Sequence, residues 1–469
     1  MLFSSIPFLY YFLPAVLVIY FLAPKILKNS VLLLSGLAFY AWGEPRYVII
    51  MTISIVLGYV FGLLIARAGG KAGGKRLAKI FLFISVCLSA SFLIYFKYAD
   101  FFISNFNAVT GLSVPLLRLA LPIGISFYTF QIISYSVDVY RGEPVQKNII
   151  DLAAYITMFP QLIAGPIVRY SDIARMLKER RHSFEMASHG IRRFIFGLGK
   201  KILIANQLGE LCAVWKSTGE NSLLFVWLYA VAYSLHIYFD FSGYSDMAIG
   251  LGKLFGFDFI ENFNYPYISK SVTEFWRRWH ISLGSWFRDY VYIPMGGNRV
   301  GKARQLFNIL VVWMFTGFWH GASWNFIAWG LFFAVLLILE KNFLLKAIGG
   351  SRVISRIYVL ISVIISFVIF DSADLASAGQ VIASMFGFGD LPISSPESLY
   401  CLRSFAGVLL IALIGATPIP KMLVSRVHDT KWGGRVITVL EPVVLMALLL
   451  VMTGYLADGA FNPFLYFRF

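Results

Sequence analysis

The sequence is short of charged residues and of cysteine, and each shortage excludes a class of protein. Charged residues make up 14% of the 469 positions, against about 25% in soluble globular proteins, so a soluble protein is excluded. The three cysteines, Cys87, Cys212 and Cys401, have no paired spacing, which excludes a disulfide framework and a thiolate metal site. We expect all three to be buried as small apolar side chains.

Apolar and aromatic residues are abundant instead. Hydrophobic residues account for 59% and aromatic residues for 17% of the chain, and the mean hydropathy is +0.74. Apolar runs recur along the whole sequence, some of them short or interrupted by glycine and proline. We therefore predict an all-α polytopic membrane protein with about 11 transmembrane helices, plus re-entrant and interfacial helices. The run at 6–24 lacks a basic flank and a cleavage site, so we expect a first span there and not a signal peptide.

The basic residues are concentrated in short loops beside apolar runs. The formal net charge is +16, from 40 basic and 24 acidic residues. The main basic segments are 67–79, 141–147, 169–193 and 277–304. Such loops face the cytoplasm in membrane proteins and attract anionic lipids. We predict this orientation, with the N-terminus on the opposite side, and we do not expect nucleic acid as a partner.

Residues 271–330 hold the densest set of unusual side chains. They contain His280, His320, seven tryptophans and several arginines. His320 closes the apolar run 309–319, where an ionisable side chain is costly and marks a functional site by default. A neutral imidazole there can act as a general base toward an acceptor hydroxyl or thiol. The alternative is a structural histidine that donates a hydrogen bond between helices.

The neighbours of His320 favour the functional interpretation. Small residues on both sides are expected to leave room for a substrate: Gly317, Gly321, Ala322 and Ser323. Tryptophans are expected to line a narrow tunnel with little water: Trp319, Trp324 and Trp329. A Ser-His-Asp hydrolase is disfavoured, because the chain has no G-x-S-x-G motif and Ser323 is too close to His320 in sequence.

Residues 274–291 show the pattern of an amphipathic helix at the membrane surface. Phe275, Trp279, Leu283, Trp286 and Tyr290 form one apolar stripe at helical spacing. His280 on this helix is either an interfacial histidine or a second polar group of the site. The adjacent arginines suit the phosphates of a nucleotide-type donor or, alternatively, anionic lipid. These arginines are Arg277 and Arg278.

The run 236–246 places two carboxylates in an apolar segment. Asp240 and Asp246 are six residues apart, and Gly243 is expected to break the helix between them. Buried carboxylates in a membrane need partners. Pairing with a basic loop residue and lining of the substrate cavity remain equally open.

Several long segments resemble the membrane-bound O-acyltransferase (MBOAT) superfamily and, within it, the AlgI branch of alginate O-acetyltransferases. These segments are 121–142, 159–172, 238–257, 262–299, 318–330 and 461–469. The resemblance implies a ring of tilted helices around a thin central region, with a funnel that reaches His320. It also implies that His320 is the catalytic histidine and that His280 is the second polar residue of the active site.

The resemblance further implies a reaction. An AlgI-like protein would take acetyl from a cytoplasmic donor, acetyl-CoA, and pass it across the inner membrane for O-acetylation of an exopolysaccharide of the alginate or cellulose type. Periplasmic SGNH-type acetyltransferases and polysaccharide-biosynthesis proteins would be its partners, and no bound cofactor or metal is expected. The residues expected to bind the substrate or donor are Trp319, Ser323, Trp324, Asn325, Arg277, Arg278 and Asp240.

We expect one membrane domain over 1–469, with N-terminal helices at 1–147, a catalytic core at 148–345 and C-terminal helices at 346–469. Three other functions remain open. One is O-acetylation of peptidoglycan, since fold and motif do not decide the polymer. Another is DltB-like D-alanylation of teichoic acid, with a small carrier protein as donor. The last is a transporter without chemistry of its own.

Overall fold

The computed structural model describes residues 1–163, 165–219, 222–458 and Phe464. These residues fold into 22 α-helices joined by 3₁₀ and π-helical turns, and the described part of the chain contains no strand. The all-α polytopic architecture predicted from the sequence is therefore confirmed. Segment 461–469, which carries the last part of the family resemblance, lies outside the described residues except for Phe464.

The chain forms two compact units. Unit 1 comprises Met1–Ile191 and Ala248–Ile260, and unit 2 comprises Arg192–Met247 and Glu261–Phe469. The division of the domain at residues 147 and 345 stays a prediction.

The helices are numbered along the chain. Unit 1 contains α1 (Leu13–Leu22), α2 (Lys28–Gly43), α3 (Val48–Gly69), α4 (Lys75–Leu93), α5 (Ala99–Thr110), α6 (Ile125–Arg141), α7 (Ile149–Thr157), α8 (Phe159–Leu162) and α9 (Tyr170–Lys178). Then α10 (Phe184–Gly199) runs from unit 1 into unit 2, α11 (Asn206–Thr218) lies in unit 2, and α12 (Leu223–Leu254) runs back into unit 1. Unit 2 continues with α13 (Val272–Arg278), α14 (Ile281–Phe287), α15 (Lys302–His320), α16 (Trp324–Leu339), α17 (Leu345–Ile348), α18 (Arg352–Asp371), α19 (Leu375–Met385), α20 (Pro396–Gly415), α21 (Ile419–His428) and α22 (Gly433–Ala457).

Within the described residues, seven helical segments have the length and composition to cross a membrane. They are Lys25–Gly43, Pro45–Gly69, Lys75–Thr110, Leu223–Leu254, Arg352–Asp371, Pro396–Gly415 and Gly433–Ala457. Several other apolar runs form shorter helices or, as in α15, helices with polar first turns. The expected number of about 11 spans is not confirmed and stays a prediction.

One apolar run is not the helix that its composition indicates. The apolar run 114–139 has the length of a span by sequence, but it is irregular up to Gly124, and α6 begins only at Ile125. The Asp100 carboxylate accepts hydrogen bonds from the backbone N–H groups of Leu117 and Arg118, at 2.7 and 2.9 Å. These bonds hold the backbone outside a helix, and proline at 115 and 122 removes two further donors.

Helix α12 is continuous, so the break expected at Gly243 is wrong. A Cβ at Gly243 would lie 2.7 Å from the carbonyl oxygen of Gly197, and a Cβ at Gly197 would lie 2.6 Å from the carbonyl oxygen of Gly243. The two glycines therefore allow α10 and α12 to pack with their backbones in contact. The packing of neighbouring elements, and not local helix propensity, explains glycine at this position.

The two carboxylates of α12 are paired with basic side chains. Asp240 lies 2.5 Å from Lys201 Nζ, and both side chains are nearly inaccessible to solvent. Asp246 lies 2.6 Å from Lys200 Nζ and 2.8 Å from a guanidinium nitrogen of Arg193. Pairing, one of the two alternatives left open by the sequence, is thus confirmed. The partners lie on α10 and on the π-helical turn Lys200–Ala205 that follows it, and not in a loop.

Cysteine burial was predicted correctly for two of three residues. Cys212 and Cys401 are buried, but Cys87 is exposed. Cys87 lies in the span Lys75–Thr110, which contains an 18-residue apolar stretch that is only 17% buried inside the protein. A small thiol is compatible with such an apolar outer face because it behaves as a weakly polar hydrophobic group.

Candidate active site

His320 is the last residue of α15 and is surrounded by aromatic rings. The centroids of the Trp319 and Trp329 rings each lie 4.9 Å from that of His320, and the Phe370 centroid lies 5.3 Å away. All three rings are nearly perpendicular to the imidazole, and His320 is only 5% exposed. We call Trp319, Trp329 and Phe370 the aromatic box. It surrounds the imidazole with apolar ring surfaces.

The glycines beside His320 do not leave open space, in contrast to the expectation from the sequence. A Cβ at Gly317 would lie 2.2 Å from the carbonyl oxygen of Phe326, and a Cβ at Gly321 would lie 2.2 Å from the Phe326 ring. Gly330 on α16 is equally close to the carbonyl oxygen of Trp313 on α15, at 2.3 Å. These glycines therefore bring α15 and α16 together and so position His320.

The other residues predicted around His320 have different environments. Asn325 is buried and donates from Nδ2 to the carbonyl oxygen of Ser372, at 2.9 Å, which fixes the end of α18 beside the aromatic box. Ser323 is half-buried and has extended backbone immediately before α16. Trp324 is 55% exposed, unlike Trp319 and Trp329. Their roles in binding substrate stay predictions.

His280 interrupts the helix predicted over 274–291. The segment forms α13, then α14, then the π-helical turn Arg288–Tyr292. His280 has φ 44° and ψ 52°, a left-handed conformation that is uncommon for any residue with a side chain. The apolar stripe is buried within unit 2, with Phe275 at 0% and Trp279 at 4% exposure. The single helix expected over 274–291 is therefore wrong, while its position at the membrane surface stays a prediction.

Both histidines pack against the same indole ring. The His280 ring centroid lies 6.1 Å from that of Trp319 and 4.6 Å from that of Phe241, the latter in an edge-to-face arrangement. His280 is 1% exposed. Burial lowers the pKa of His280 to about 3, so this imidazole, which lies outside the candidate spans, is neutral at physiological pH.

Asn262 is a buried contact of His280 that the sequence did not reveal. Its Oδ1 atom lies 3.2 Å from His280 Nδ1 and accepts hydrogen bonds from the backbone N–H and the hydroxyl of Ser282, at 3.1 and 2.9 Å. The Ile281 N–H also donates to the Asn262 carbonyl oxygen, at 3.0 Å. A lone asparagine in a loop carries no periodic signal, so only the fold shows that it reaches His280.

A buried carboxylate anchors the segment that leads to His280. Glu340, 1% exposed, accepts hydrogen bonds from the backbone N–H groups of Val272 and Thr273 in the first turn of α13. The Ser271 side chain caps the same helix by accepting from the N–H of Glu274, at 2.9 Å. A negative charge at a helix N-terminus is favourable because it satisfies unpaired N–H groups and complements the helix dipole.

The basic residues predicted to contact a donor differ in availability. Arg277 is exposed. The Arg278 guanidinium forms an ion pair with the Glu274 carboxylate, with a shortest N–O distance of 2.8 Å, and donates a hydrogen bond to the carbonyl oxygen of Asn264 at 3.2 Å. Asp240 is engaged by Lys201 in the buried pair described above. Arg277 is thus the more exposed of the two arginines, and its role in binding a donor stays a prediction.

Comparison with known proteins decides the family. The model of the membrane-bound O-acyltransferase family matches residues 125–345, which include both histidines. The chain is 37% identical over 502 aligned positions, covering all of both chains, to the probable alginate O-acetylase AlgI of Azotobacter vinelandii. The chain belongs to the MBOAT family. Its resemblance to the AlgI branch, predicted from the sequence, is confirmed.

Other relatives of this MBOAT protein differ in their substrates. It is 32% identical over 469 positions, covering 91% of this chain and 88% of the relative, to the peptidoglycan O-acetyltransferase of Helicobacter pylori. It is 31% identical over 236 positions, covering 47% of this chain and 59% of the relative, to the teichoic acid D-alanyltransferase of Bacillus subtilis. The family model and these acyl-transferring relatives together show that the protein is a multi-pass membrane acyltransferase.

Proposed function

We propose that this MBOAT protein transfers acetyl from a cytoplasmic thioester donor, acetyl-CoA, for O-acetylation of a bacterial exopolysaccharide of the alginate or cellulose type. We place it in the inner membrane, where acetyl crosses to a periplasmic SGNH-type acetyltransferase that works with polysaccharide-biosynthesis proteins. The basic segments of the sequence are proposed to bind anionic lipids on the cytoplasmic side. The full-length similarity to a probable alginate O-acetylase supports the choice of acetyl and of this class of polymer.

The observation that carries the proposal is the buried imidazole of His320 in its aromatic box. An imidazole is a general base when it is neutral and within reach of a hydroxyl. The aromatic box supports this role because it keeps water away from a thioester that water would otherwise hydrolyse. The contact of His320 and His280 with one indole supports a single site with two imidazoles.

The proton has a defined route in this scheme. The acceptor hydroxyl oxygen attacks the thioester carbonyl carbon while a ring nitrogen of His320 takes the hydroxyl proton. The tetrahedral intermediate then collapses, the carbon–sulfur bond breaks, and His320 returns the proton to the leaving thiolate. The products are an O-acetyl ester and a free thiol, so atoms and charge balance. Arg277, which is exposed on α13, is proposed to bind a phosphate group of the donor.

D-alanyl transfer from a carrier protein is the main alternative. The teichoic acid D-alanyltransferase matches about half of this chain, whereas the alginate and peptidoglycan acetylating relatives match nearly all of it. The longer matches favour acetyl over D-alanyl. Peptidoglycan remains the second candidate for the polymer because its relative also spans most of the chain.

The test uses purified protein in liposomes with radiolabelled acetyl-CoA outside and the periplasmic partner inside. We expect wild-type protein to transfer label to the partner. We expect His320→Ala to abolish this transfer, because the general base is lost. His428→Ala is the matched control. His428 is exposed on α21, so the His428→Ala protein should transfer label normally.

Three outcomes would contradict the proposal in different ways. Full transfer by a folded His320→Ala protein would remove His320 from the chemistry. Transfer only from a thioester-loaded carrier protein would replace acetyl-CoA by a carrier donor. Movement of polysaccharide or a lipid-linked precursor without any acyl transfer would establish the transporter alternative.

A further inference from the structure

Three potential donor atoms converge on one buried oxygen beside His280. Asn262 Oδ1 lies 3.1 Å from the backbone nitrogen of Ser282, 2.9 Å from the Ser282 hydroxyl and 3.2 Å from His280 Nδ1. Asn262 and Ser282 are both 0% exposed, and His280 is 1% exposed. Buried polar atoms are normally paired in native structures, so the direction of each hydrogen bond can be worked out from this cluster.

The backbone of Ser282 determines which way the Asn262 amide points. A backbone N–H can only donate, so the atom that faces it must be an acceptor. Rotating the amide by 180° would place the Asn262 NH₂ group against the Ser282 N–H and would oppose two donors. The oxygen therefore faces Ser282 and His280 in the only arrangement that satisfies the backbone.

The same oxygen determines which nitrogen of His280 carries the proton. Asn262 Oδ1 cannot donate, so a close contact with His280 Nδ1 is favourable only if Nδ1 bears a hydrogen. The Ser282 hydroxyl has one proton, and its oxygen lies closer to Asn262 Oδ1, at 2.9 Å, than to His280 Nδ1, at 3.4 Å. The neutral imidazole is therefore protonated at Nδ1 and has its lone pair at Nε2.

The backbone around Asn262 holds this arrangement in place. The Ile281 N–H donates to the Asn262 carbonyl oxygen at 3.0 Å, and the Asn264 N–H donates to the Arg278 carbonyl oxygen at 2.9 Å. These two bonds tie segment 262–264 to both sides of His280. The Phe241 ring, perpendicular to the imidazole at 4.6 Å, restricts rotation of the ring.

We propose that Asn262 is a positioning residue that holds His280 in the Nδ1–H tautomer, so that His280 serves acyl transfer as an acceptor through Nε2. The consequence for catalysis rests on the proposed function, whereas the tautomer does not. A neutral imidazole with its lone pair at Nε2 can orient a hydroxyl by accepting its hydrogen bond. It cannot donate from Nε2 to the oxyanion of a tetrahedral intermediate. The Asn262 contact thus decides between the two roles open to a second active-site histidine.

The tautomer can be observed directly. The full-length protein would be labelled with ¹⁵N in the histidine rings, reconstituted in liposomes and studied by solid-state NMR, in which protonated and unprotonated ring nitrogens are well separated. A matched sample of His280→Gln identifies the His280 signals among the six histidines. We expect Nδ1 of wild-type His280 to be protonated and Nε2 to be unprotonated.

Substitutions at Asn262 separate positioning from folding. Asn262→Leu has a similar shape and no acceptor, so we expect His280 to lose its preference for Nδ1–H. We expect kcat for acyl transfer to fall about tenfold to a hundredfold, with KM for the donor little changed. Asn262→Asp keeps the acceptor and should retain the tautomer, while its charge favours imidazolium and moves the acid limb of the pH profile to higher pH. Ser282→Ala is the control, because it leaves the bond between Asn262 and His280 intact.

A protonated Nε2 and unprotonated Nδ1 in wild-type His280 would overturn the proposal, as would an unchanged tautomer in Asn262→Leu. If Asn262→Leu does not fold, a wild-type spectrum with Nε2 protonated still overturns the proposal. If the wild-type protein shows the expected tautomer but transfers no acetyl, the proposed function fails and the assignment of Asn262 stands. The two failures are therefore distinguishable.

Discussion

His280 combines an unfavourable backbone conformation with a favourable side-chain environment. Its left-handed φ of 44° costs about 1 kcal/mol for a residue with a Cβ, and glycine would adopt it more easily. The imidazole is nevertheless buried against Phe241 and bonded to Asn262. Strained residues that persist in this way are concentrated at functional sites. The backbone of His280 thus supports a role for its side chain independently of the family comparison.

Burial of neutral His280 predicts a pH-dependent stability. The pKa of His280 is about 3 in the folded protein, whereas the ordinary histidine pKa of 6.5 applies to the unfolded chain. As the pH falls, the unfolded chain therefore binds the proton before the folded protein does. The stabilisation present above pH 6.5 is therefore lost as pH falls from 6.5 toward 3, by about 2 kcal/mol between pH 7 and pH 5. The measurement is the apparent melting temperature in detergent at both pH values.

The contribution of His280 is isolated by substitution. His280→Gln removes the titrating group, so its melting temperature should fall less between pH 7 and pH 5 than that of the wild type. His428→Gln should behave like the wild type, because the side chain of His428 is 61% exposed. An equal fall in wild type and His280→Gln would show that other groups control the acid sensitivity.

The residues of the site were predictable to different degrees. His320 and His280 could be singled out because an ionisable ring in or beside an apolar segment is unusual. Asn262 could not, because its importance arises from donors supplied 18 and 20 positions later by His280 and Ser282. Phe370 was equally hidden, since an aromatic residue at the end of an apolar helix does not show which ring it faces.

At the scale of the helix, glycine caused two errors of prediction for one reason. Gly243 was expected to break α12 and Gly317 to make room for substrate, but both are sites of close helix packing. A missing side chain creates space, and the sequence does not say whether a substrate or another backbone fills it. The single helix expected at 274–291 is instead two short helices, because His280 between them has a left-handed backbone that the periodic pattern does not reveal.

The packing of α15 against α16 gives a prediction with a matched control. In Gly317→Ala the new methyl group would lie 2.2 Å from the carbonyl oxygen of Phe326, a backbone atom that cannot move aside easily. We expect destabilisation of about 1–3 kcal/mol and reduced transfer, since α15 carries His320. Thermal unfolding in detergent and the acetyl-transfer assay measure the two effects.

Gly407 on α20 provides the control for that substitution. Among the residues that the structure describes, none outside its own helix turn lies within 4 Å of a Cβ placed at Gly407. Alanine is favoured over glycine in a helix by about 1 kcal/mol, so Gly407→Ala should be neutral or stabilising. A Gly317→Ala protein as stable as Gly407→Ala would mean that α15 and α16 do not rely on this contact.

At the scale of the whole molecule, composition predicted the class of protein, whereas the number of about 11 spans stays a prediction. The apolar composition indicates a polytopic membrane protein, and the described residues contain seven helical segments suited to crossing. Apolar content does not distinguish a lipid-facing span from a buried helix. An 18-residue apolar stretch of the span Leu223–Leu254 is 78% buried inside the protein, whereas the corresponding stretch of Gly433–Ala457 is 6% buried. Counting spans therefore needs the packing as well as the hydropathy.

The orientation predicted from the distribution of charge can be tested across one span. Helix α3 lies in the span Pro45–Gly69, between exposed Arg46 at one end and, at the other, the loop 70–74, which contains exposed Lys71 and is flanked by exposed Arg67 and Lys75. The positive-inside rule places that loop in the cytoplasm. In a Cys87→Ser background, in which Cys212 and Cys401 are buried, Arg46→Cys should react with an impermeant maleimide in intact cells. Ala72→Cys should react only after the membrane is opened. Labelling of Ala72→Cys in intact cells would show that the protein has the opposite orientation. The face proposed to meet the donor would then lie outside the cytoplasm, where acetyl-CoA is not available.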